Sequence, residues 1–126
     1  GNDVIAAVHS GWKGTELRIT FKTLNKLKSD FGSSPEKLYA FVAPCISGQN
    51  YEIGEEVACR FNEKYLFQNN GNIYLDIKKA NYDMMLEAGL SENKIEISTL
   101  CSFSNHQFLH SYRRDGKKSG RAWGVI

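Results

Sequence analysis

An apolar run near the start of the chain leads directly into a histidine and a glycine-rich turn. Residues 4–8 read Val-Ile-Ala-Ala-Val, and residues 9–14 read His-Ser-Gly-Trp-Lys-Gly. A continuous apolar run of this length predicts a strand over residues 3–8 that is covered on both faces. A helical pattern follows, so we expect His9 at the carboxyl end of a buried strand, beside a turn that opens a helix. Open α/β sheets bind ligands at such positions, and a helix N-terminus attracts anions.

Apolar spacing and capping residues predict three helices in the rest of the chain. Their approximate ranges are residues 16–31, 54–65 and 77–88. Thr15 is expected to cap the first helix and Gly32 to end it. Asp76 is expected to cap the third helix, with Gly89 just past its end. The apolar residues expected to share one face of the first helix are Leu17, Phe21, Leu24, Leu27 and Phe31.

Five segments have the composition of strands. They are residues 3–8, 37–43, 73–75, 94–98 and 121–126. The first two lack the alternation of a half-exposed strand, so we expect them to be central in a sheet. A turn is predicted at residues 69–72, a polar loop at 99–107, and a basic turn or mobile loop at 112–120. Because strands and helices follow no clean βαβ order, we expect one α+β domain over residues 1–126, with mixed β-sheets in layers flanked by helices.

Composition and charge exclude several classes of protein. The 126 residues are 41% hydrophobic and 24% charged, and the formal net charge of +2 is too small to indicate a nucleic-acid partner. We expect no membrane partner, because no apolar stretch is long enough to cross a bilayer. Three cysteines without a close pair make a poor disulfide framework, which favours a reducing, cytoplasmic compartment. The first residue is Gly1 rather than Met, so we expect the chain to be part of a longer protein.

Four segments together carry a resemblance to a known family. They are Ala6–Gly14, Ala43–Gly54, Leu75–Asn81, and Cys101 followed by Ser111–Gly116 and Ser119–Arg121. In this order and spacing they resemble the C-terminal half of the YfiH-like laccase-domain family, also called polyphenol oxidase. The resemblance implies a YfiH-like fold that is incomplete at its N-terminus. For the full-length protein it implies a zinc-dependent purine nucleoside phosphorylase with adenosine deaminase side activity, acting on a purine nucleoside and phosphate.

The resemblance also implies a metal site to which this chain contributes one residue. Family members hold the metal with a histidine in a Gln-Val-His-Gly-like motif, a cysteine in a Thr-Ala-Asp-Cys-like motif and the histidine of a His-Ala-Gly-Trp-Arg-Gly motif. Only the last is matched here, by His9, and the other two ligands would lie upstream. A catalytic zinc takes three protein ligands, so we expect this chain alone to bind zinc weakly and to be inactive. Without those ligands, His9 would be a strand-end histidine bonded to a backbone carbonyl.

The glycine-rich turn also supplies candidate substrate-binding residues. Gly14 lets the backbone approach a ligand, Trp12 could stack on a purine, and Lys13 could attract phosphate. The alternative is a tight turn with a packed tryptophan. A departure from the family pattern lies further along the chain at His110, where many members have an aromatic residue.

Two adjacent arginines are candidates for an anion site. Guanidinium groups bind phosphate in a bidentate manner, but adjacent residues of an extended chain point to opposite sides. We therefore expect one of Arg113 and Arg114 to face the site, and the other to pair with a carboxylate or remain in solvent. With His9 they are the candidate catalytic residues, and the cations that bind phosphate, including Lys13, are expected to converge near His9.

Three other functions stay open at this point. One is a copper-dependent polyphenol oxidoreductase, because two histidines and a cysteine also accept copper, although one mononuclear site lacks the several coppers needed to reduce dioxygen to water. Another is a thiol hydrolase that uses Cys45 or Cys101 beside a histidine. The last is a catalytically inactive fragment, whose uncovered apolar surface would favour self-association.

Overall fold

The computed structural model describes residues 4–125, which form short helices and strands in mixed order. The α-helices are α1 (Trp12–Glu16), α2 (Ile19–Phe31), α3 (Glu55–Ala58), α4 (Ile77–Glu87) and α5 (Tyr112–Asp115). The strands are β1 (Ala40–Val42), β2 (Glu52–Ile53), β3 (Leu66–Asn69), β4 (Asn72–Leu75) and β5 (Ile95–Ile97). One sheet is parallel and the other antiparallel, so the predicted α+β class is confirmed.

The chain divides into two compact units. Of the described residues, 4–42 and 79–97 belong to the first unit, and 43–78 and 98–125 belong to the second. The two units are taken in turn below, and the expectation of a single domain over residues 1–126 stays a prediction. None of the helices in the described part of the chain is long and apolar enough to span a membrane.

The first unit has a small apolar core between helices and a two-stranded sheet. Strand β1 pairs with β5 in parallel, with Ala40 opposite Ile95. The buried centre consists of Leu24, Met85 and Leu90. The apolar side chains packed around this centre are Leu27, Leu38, Ala40, Val42, Tyr82, Ala88 and Ile95. Burial of such apolar surface is the main stabilising contribution that this unit receives.

The helix predicted over residues 16–31 is in fact two helices. Helix α1 ends at Glu16, and α2 begins after Arg18, which has a left-handed backbone conformation with φ of 59°. This break takes Leu17 off the shared apolar face, and its side chain is 62% exposed. Thr15 lies inside α1 rather than at its N-cap position, so the predicted cap is wrong. The predicted end is confirmed, since Gly32 closes α2 with φ of 63°.

The expectation of two central strands is wrong for the described residues. Residues 4–8 form no strand, and Ile5 and Val8 are exposed. The predicted strand 37–43 is limited to β1, which has β5 as its partner on one side, and Phe41 is 61% exposed. Within the described chain no strand pairs with residues 4–8, and a strand without a partner leaves its backbone groups unpaired.

The second unit is built on the antiparallel sheet β2–β4–β3. Strands β3 and β4 form a hairpin whose turn contains Asn70 and Gly71, with φ of 50° and 81°. Asn-Gly is the sequence that such a tight turn favours, so the turn predicted at residues 69–72 is confirmed. Leu75 is fully buried at the end of β4. The other buried apolar side chains of this unit are Tyr51, Ile53, Val57, Ala58, Ile77 and Cys101.

The helix predicted over residues 54–65 is wrong beyond Ala58. Helix α3 is a single turn, and Asn62 then begins a 3₁₀ turn by accepting a hydrogen bond of 3.1 Å from the Lys64 backbone N–H. Asparagine side chains compete in this way with helical backbone bonds. Residues 66–69 form strand β3, which the sequence pattern did not predict.

Predictions further along the chain have mixed outcomes. Helix α4 and strands β4 and β5 lie within two residues of their predicted ranges, and Gly89 follows α4 with φ of 99°. The segment 112–120, predicted as a turn or mobile loop, contains the one-turn helix α5 and a 3₁₀ turn at Gly116–Lys118. The predicted strand 121–126 is wrong for residues 121–125, which form no strand, and residue 126 lies outside the described residues.

Candidate functional site

His9 lies at the start of a compact loop in the first unit. The loop runs to Gly11, where α1 begins, and a Cβ atom placed on Gly11 would lie 3.3 Å from Nε2 of His9. A Cβ on Gly14 would lie 3.1 Å from Cγ2 of Ile19 and 3.4 Å from the His9 carbonyl oxygen. The two glycines therefore allow the imidazole and the backbone to approach closely. His9 is exposed and follows a segment without regular secondary structure, so the expectation that it ends a strand is wrong.

A buried polar network fixes this loop from one side. Asn81 of α4 donates from Nδ2 to Oγ1 of Thr15 over 3.0 Å, and accepts at Oδ1 from Oγ1 of Thr20 over 2.6 Å. Oγ1 of Thr15 lies 3.0 Å from Oγ of Ser10, the residue after His9. Thr15 is 1% exposed and Asn81 8% exposed. Asn81 thus joins α1, α2 and the loop that carries His9, because buried polar groups are stable only when paired.

Trp12 and Lys13 form the first turn of α1. The Lys13 ammonium lies 5.4 Å from the centre of the Trp12 ring, a cation–π contact. A purine could therefore stack only on the indole face that Lys13 does not cover. Helix α1 is five residues long, so its dipole is small, and the helix contribution expected for an anion site is weak.

Of the three metal ligands that the resemblance implies, the described residues contain one, His9. Among residues 4–125 no three His, Cys, Asp or Glu side chains come together as a metal site. One imidazole does not hold a catalytic zinc. These residues therefore do not fit a complete metal centre, and further donors would have to come from elsewhere in the protein.

Arg114 uses all of its hydrogen-bond donors within the second unit. Nε and Nη2 donate to the two carboxylate oxygens of Asp115 over 2.8 and 2.7 Å. Nη1 donates to the carbonyls of Ser102 and Phe103, both over 2.9 Å, and Nη2 donates to the Leu109 carbonyl over 3.0 Å. A guanidinium has five N–H groups, so none remains for phosphate. Arg114 holds the loop over residues 102–109 in place, and its hydrogen bond lowers the pKa of Asp115.

Arg113 is the arginine of the pair that retains donors. Its guanidinium lies 5.0 Å from the Tyr51 ring centre, and Nη1 donates to the Glu52 carbonyl over 2.7 Å. Burial raises the pKa of the Tyr51 hydroxyl, and the charge and a hydrogen bond of Arg113 oppose that rise, while Arg113 itself is exposed. A cation held by a ring and a carbonyl, with donors to spare, is suited to bind an anion. Of the two arginines, the geometry favours Arg113.

The sequence-predicted site residues fall into both units. His9, Trp12, Lys13 and Gly14 belong to the first unit, and Arg113 and Arg114 belong to the second. The structure places the first four in one short segment, with His9 in the loop and the other three in α1. The convergence of the cations near His9 stays a prediction.

Sequence reasoning missed the surroundings of Cys101 in the second unit. Its sulfur accepts hydrogen bonds from the Ser47 backbone N–H over 3.3 Å and from Nδ2 of Asn50 over 3.5 Å. Burial raises the pKa of this thiol, but hydrogen bonds from Ser47, Ser104 and Phe103 together lower it to about 6. Cys101 is therefore mostly a thiolate at neutral pH. The donors Ser47 and Asn50 lie about fifty positions earlier, so local spacing gave no signal for them.

His110 contacts the backbone near the end of the described chain. A Cβ on Gly120 would lie 2.5 Å from Cε1 of the His110 ring. This imidazole therefore packs against Gly120, within the second unit. The hydrogen bonds described for Cys45 and Cys101 go to the Ile46 carbonyl, the Ser47 N–H and the Asn50 amide. The Cys–His nucleophile stays a prediction.

Comparison with known proteins identifies the family of this chain. Residues 1–126 match the family described as multi-copper polyphenol oxidoreductase laccase. A purine nucleoside phosphorylase of Deinococcus radiodurans is 37% identical over 127 residues, which covers 98% of this chain and 48% of the relative. A purine nucleoside phosphorylase of Bacteroides thetaiotaomicron is 34% identical, covering 93% of this chain and 46% of the relative. The chain thus spans about half the length of these curated relatives.

The fold is similar to that of a solved structure. The hypothetical protein YfiH of Bacillus licheniformis matches with a TM-score of 0.75 and 26% identity. The match covers 85% of this chain and 43% of that protein. The YfiH-like fold expected from the sequence is confirmed.

Proposed function

Since this chain belongs to the YfiH-like laccase-domain family, and relatives over its whole length are named purine nucleoside phosphorylases, we propose that the protein cleaves purine nucleosides with phosphate. The observation that carries this proposal is the segment from His9 to Gly14, a short loop followed by the start of α1. It presents an imidazole, an indole and an ammonium group from six consecutive residues, and the Asn81 network holds it in place. Such a preorganised set of an aromatic surface and polar groups suits a nucleoside.

The reaction defines what these side chains must do. A phosphate oxygen attacks C1′ of the ribose while the bond from C1′ to the purine nitrogen breaks. The electron pair of that bond leaves with the base, which takes up a proton, and the other product is ribose 1-phosphate. The protein must therefore hold a dianion in line with C1′ and support the departing purine.

We assign Trp12 to the base and Arg113 to phosphate. The indole offers a flat apolar surface, and its Lys13 neighbour is a second cation for the nucleoside or phosphate. Arg113 is oriented by Tyr51 and by the Glu52 carbonyl, so less side-chain freedom is lost when it binds an anion. Arg114 takes no direct part, because its five donors are engaged.

Zinc is the proposed cofactor, with His9 as one of its donors. When bound, zinc supplies a Lewis acid, which suits an adenosine deaminase side activity. The described residues do not complete its coordination, so the remaining donors belong to other parts of the protein. Metal analysis of the full-length protein before and after the change His9→Ala tests this role, and an unchanged zinc content would contradict it.

The central experiment measures phosphate-dependent release of purine base from adenosine and inosine by the full-length protein. We expect Arg113→Ala to raise KM for phosphate by about tenfold to a hundredfold, since it removes a charge-assisted contact. Deamination of adenosine needs no phosphate and should change little. Arg60→Ala is the matched control, because Arg60 is also exposed and also donates to a backbone carbonyl, that of Glu56. Equal phosphate dependence in the Arg113 and Arg60 variants would refute the assignment.

A copper-dependent polyphenol oxidoreductase is the second candidate, because the matching family carries that description. Copper content together with oxidation of a phenol, and no phosphate-dependent base release, would favour it. Zinc content with base release would favour the phosphorylase.

A further inference from the structure

Two cysteines of the second unit face one another across a backbone bridge. Cys45 and Cys101 are opposite residues of an isolated parallel bridge, and the Ser102 N–H donates to the Cys45 carbonyl over 3.0 Å. Neighbouring strands lie about 4.8 Å apart, and side chains of opposite residues lie on the same face. That separation is within the range of about 4.4–6.8 Å between Cα atoms that a disulfide bridges. The backbone therefore places the two cysteines close enough for a disulfide to join them.

The two sulfurs are in different chemical states. The Cys101 sulfur accepts hydrogen bonds from Ser47 and Asn50, as a thiolate does. The Cys45 thiol instead donates to the Ile46 carbonyl over 3.6 Å. Burial raises the pKa of Cys45, and the nearby Cys101 raises it further, while Lys78 opposes this effect. One cysteine is thus prepared as a nucleophile and the other remains a protonated neighbour.

We propose that Cys101 and Cys45 form a hydroperoxide-reactive thiol pair that closes to an intramolecular disulfide. The Cys101 thiolate attacks the distal oxygen of the hydroperoxide, the O–O bond breaks, and the leaving oxygen takes up a proton as water or an alcohol. Cys101 is then a sulfenic acid. The Cys45 sulfur attacks the Cys101 sulfur, the S–O bond breaks, and water leaves with the Cys45 proton. The two cysteines lose two electrons in all, and the hydroperoxide accepts both.

Burial limits which oxidants can reach the pair. Cys101 is 8% exposed, and Cys45 is half-buried. We therefore expect hydrogen peroxide to react much faster than a bulky disulfide such as oxidised glutathione. Cys59 is exposed, and its sulfur is 3.5 Å from the Glu56 carbonyl of its own helix. It has no cysteine opposite it in the described chain, so it is the internal reference.

The test maps disulfides in the unaltered full-length protein after treatment with hydrogen peroxide. Trypsin leaves Cys45 and Cys59 on one peptide, residues 38–60, so a protease that cuts after glutamate is added. We expect a linked pair of peptides, 38–52 and 97–113, that separates on reduction. Cys59 should remain alkylatable. Recovery of Cys45 and Cys101 as separate alkylated peptides, or their linkage between two protein molecules, would overturn the proposal.

Variants give an independent check on the order of the two steps. In Cys45→Ser the second step is blocked, so Cys101 should accumulate as a sulfenic acid that dimedone traps. Cys59→Ser should still form the linked peptides in full yield. Dimedone labelling of Cys45 rather than Cys101, in protein whose circular dichroism is unchanged, would contradict the assigned roles.

Discussion

The side-chain amide of Asn81 donates to the Thr15 hydroxyl over 3.0 Å, and both residues are buried. This contact links α4 to α1, and Thr15 in turn contacts Ser10, the residue after His9. We expect Asn81→Ala to lower the free energy of unfolding by about 1–3 kcal/mol, because the buried Thr15 hydroxyl and the half-buried Thr20 hydroxyl each lose a hydrogen bond. Urea denaturation measures the effect. Asn25→Ala on exposed α2 surface is the control, and an equally small loss in both variants would contradict the role of Asn81.

Because Gly11 has no side chain, it leaves room for the His9 imidazole. Gly11→Ala would place a Cβ 3.3 Å from Nε2 of His9, so the exposed ring must shift by a few tenths of an ångström. We expect base release and metal content of the full-length protein to fall, while stability changes by less than about 0.5–1 kcal/mol. Gly124→Ala is the control, since no atom lies within 4 Å of its added Cβ. Unchanged activity in both variants would show that His9 is not placed by this contact.

Cys101 should react with iodoacetamide in a strongly pH-dependent manner. Burial raises the pKa of its thiol, but hydrogen bonds from Ser47, Ser104 and Phe103 lower it to about 6. The thiolate is therefore present above pH 6 and is lost as the pH falls through 6. We expect a nearly constant rate between pH 7 and 8 and a fall of about tenfold per unit well below 6.

Ser47→Ala tests the cause of that low pKa. Removing the Ser47 hydroxyl removes one of the hydrogen bonds to the sulfur, so the midpoint of the Cys101 rate profile should move upward. The alkylation rate of Cys59 in the same samples is the control for any general effect of pH on iodoacetamide. A Cys101 profile that is unchanged by the substitution would mean that the hydroxyl does not stabilise the thiolate.

We expect substitutions of Arg113 and Arg114 to differ, with Arg113 affecting anion binding and Arg114 affecting the order of the loop over residues 102–109. Arg114→Lys keeps a positive charge but cannot reproduce the fork that contacts Asp115 and three carbonyls. We expect amide hydrogen exchange in residues 102–109 to accelerate by about tenfold or more, as local opening becomes easier. Arg113→Lys should leave this exchange unchanged. Acceleration in both variants would mean that the pair acts as one structural unit.

The parts of the fold that the sequence predicted well are specified by neighbouring residues. Asn70 and Gly71 adopt the positive φ values that their turn needs, and Gly89 does the same after α4. The strand predicted over residues 3–8 is wrong for residues 4–8, because a strand depends on a partner, and no partner strand is present in the described chain. Pairing is a tertiary property that local apolar character does not specify.

The same distinction holds for the candidate site. His9 and Trp12 lie on either side of Ser10 and Gly11, so their placement around one turn could be predicted from the sequence. The roles of the two arginines could not, because Arg114 is satisfied by carbonyls whose positions depend on the folded loop at residues 102–109. The pocket of Cys101 likewise depends on Asn50, fifty-one positions away.

One peptide bond joins the sulfur pocket to the proposed anion site. Asn50 faces the Cys101 sulfur, and the next residue, Tyr51, carries the Arg113 guanidinium on its ring. Oxidation removes the negative charge that Asn50 faces, and any shift of this residue moves Tyr51. Thermodynamic linkage then requires reciprocity between the two sites. Oxidation changes the phosphate affinity by a certain factor, and bound phosphate must change the dithiol–disulfide equilibrium constant by the same factor. A phosphate titration of the redox couple therefore measures how strongly the two sites are coupled.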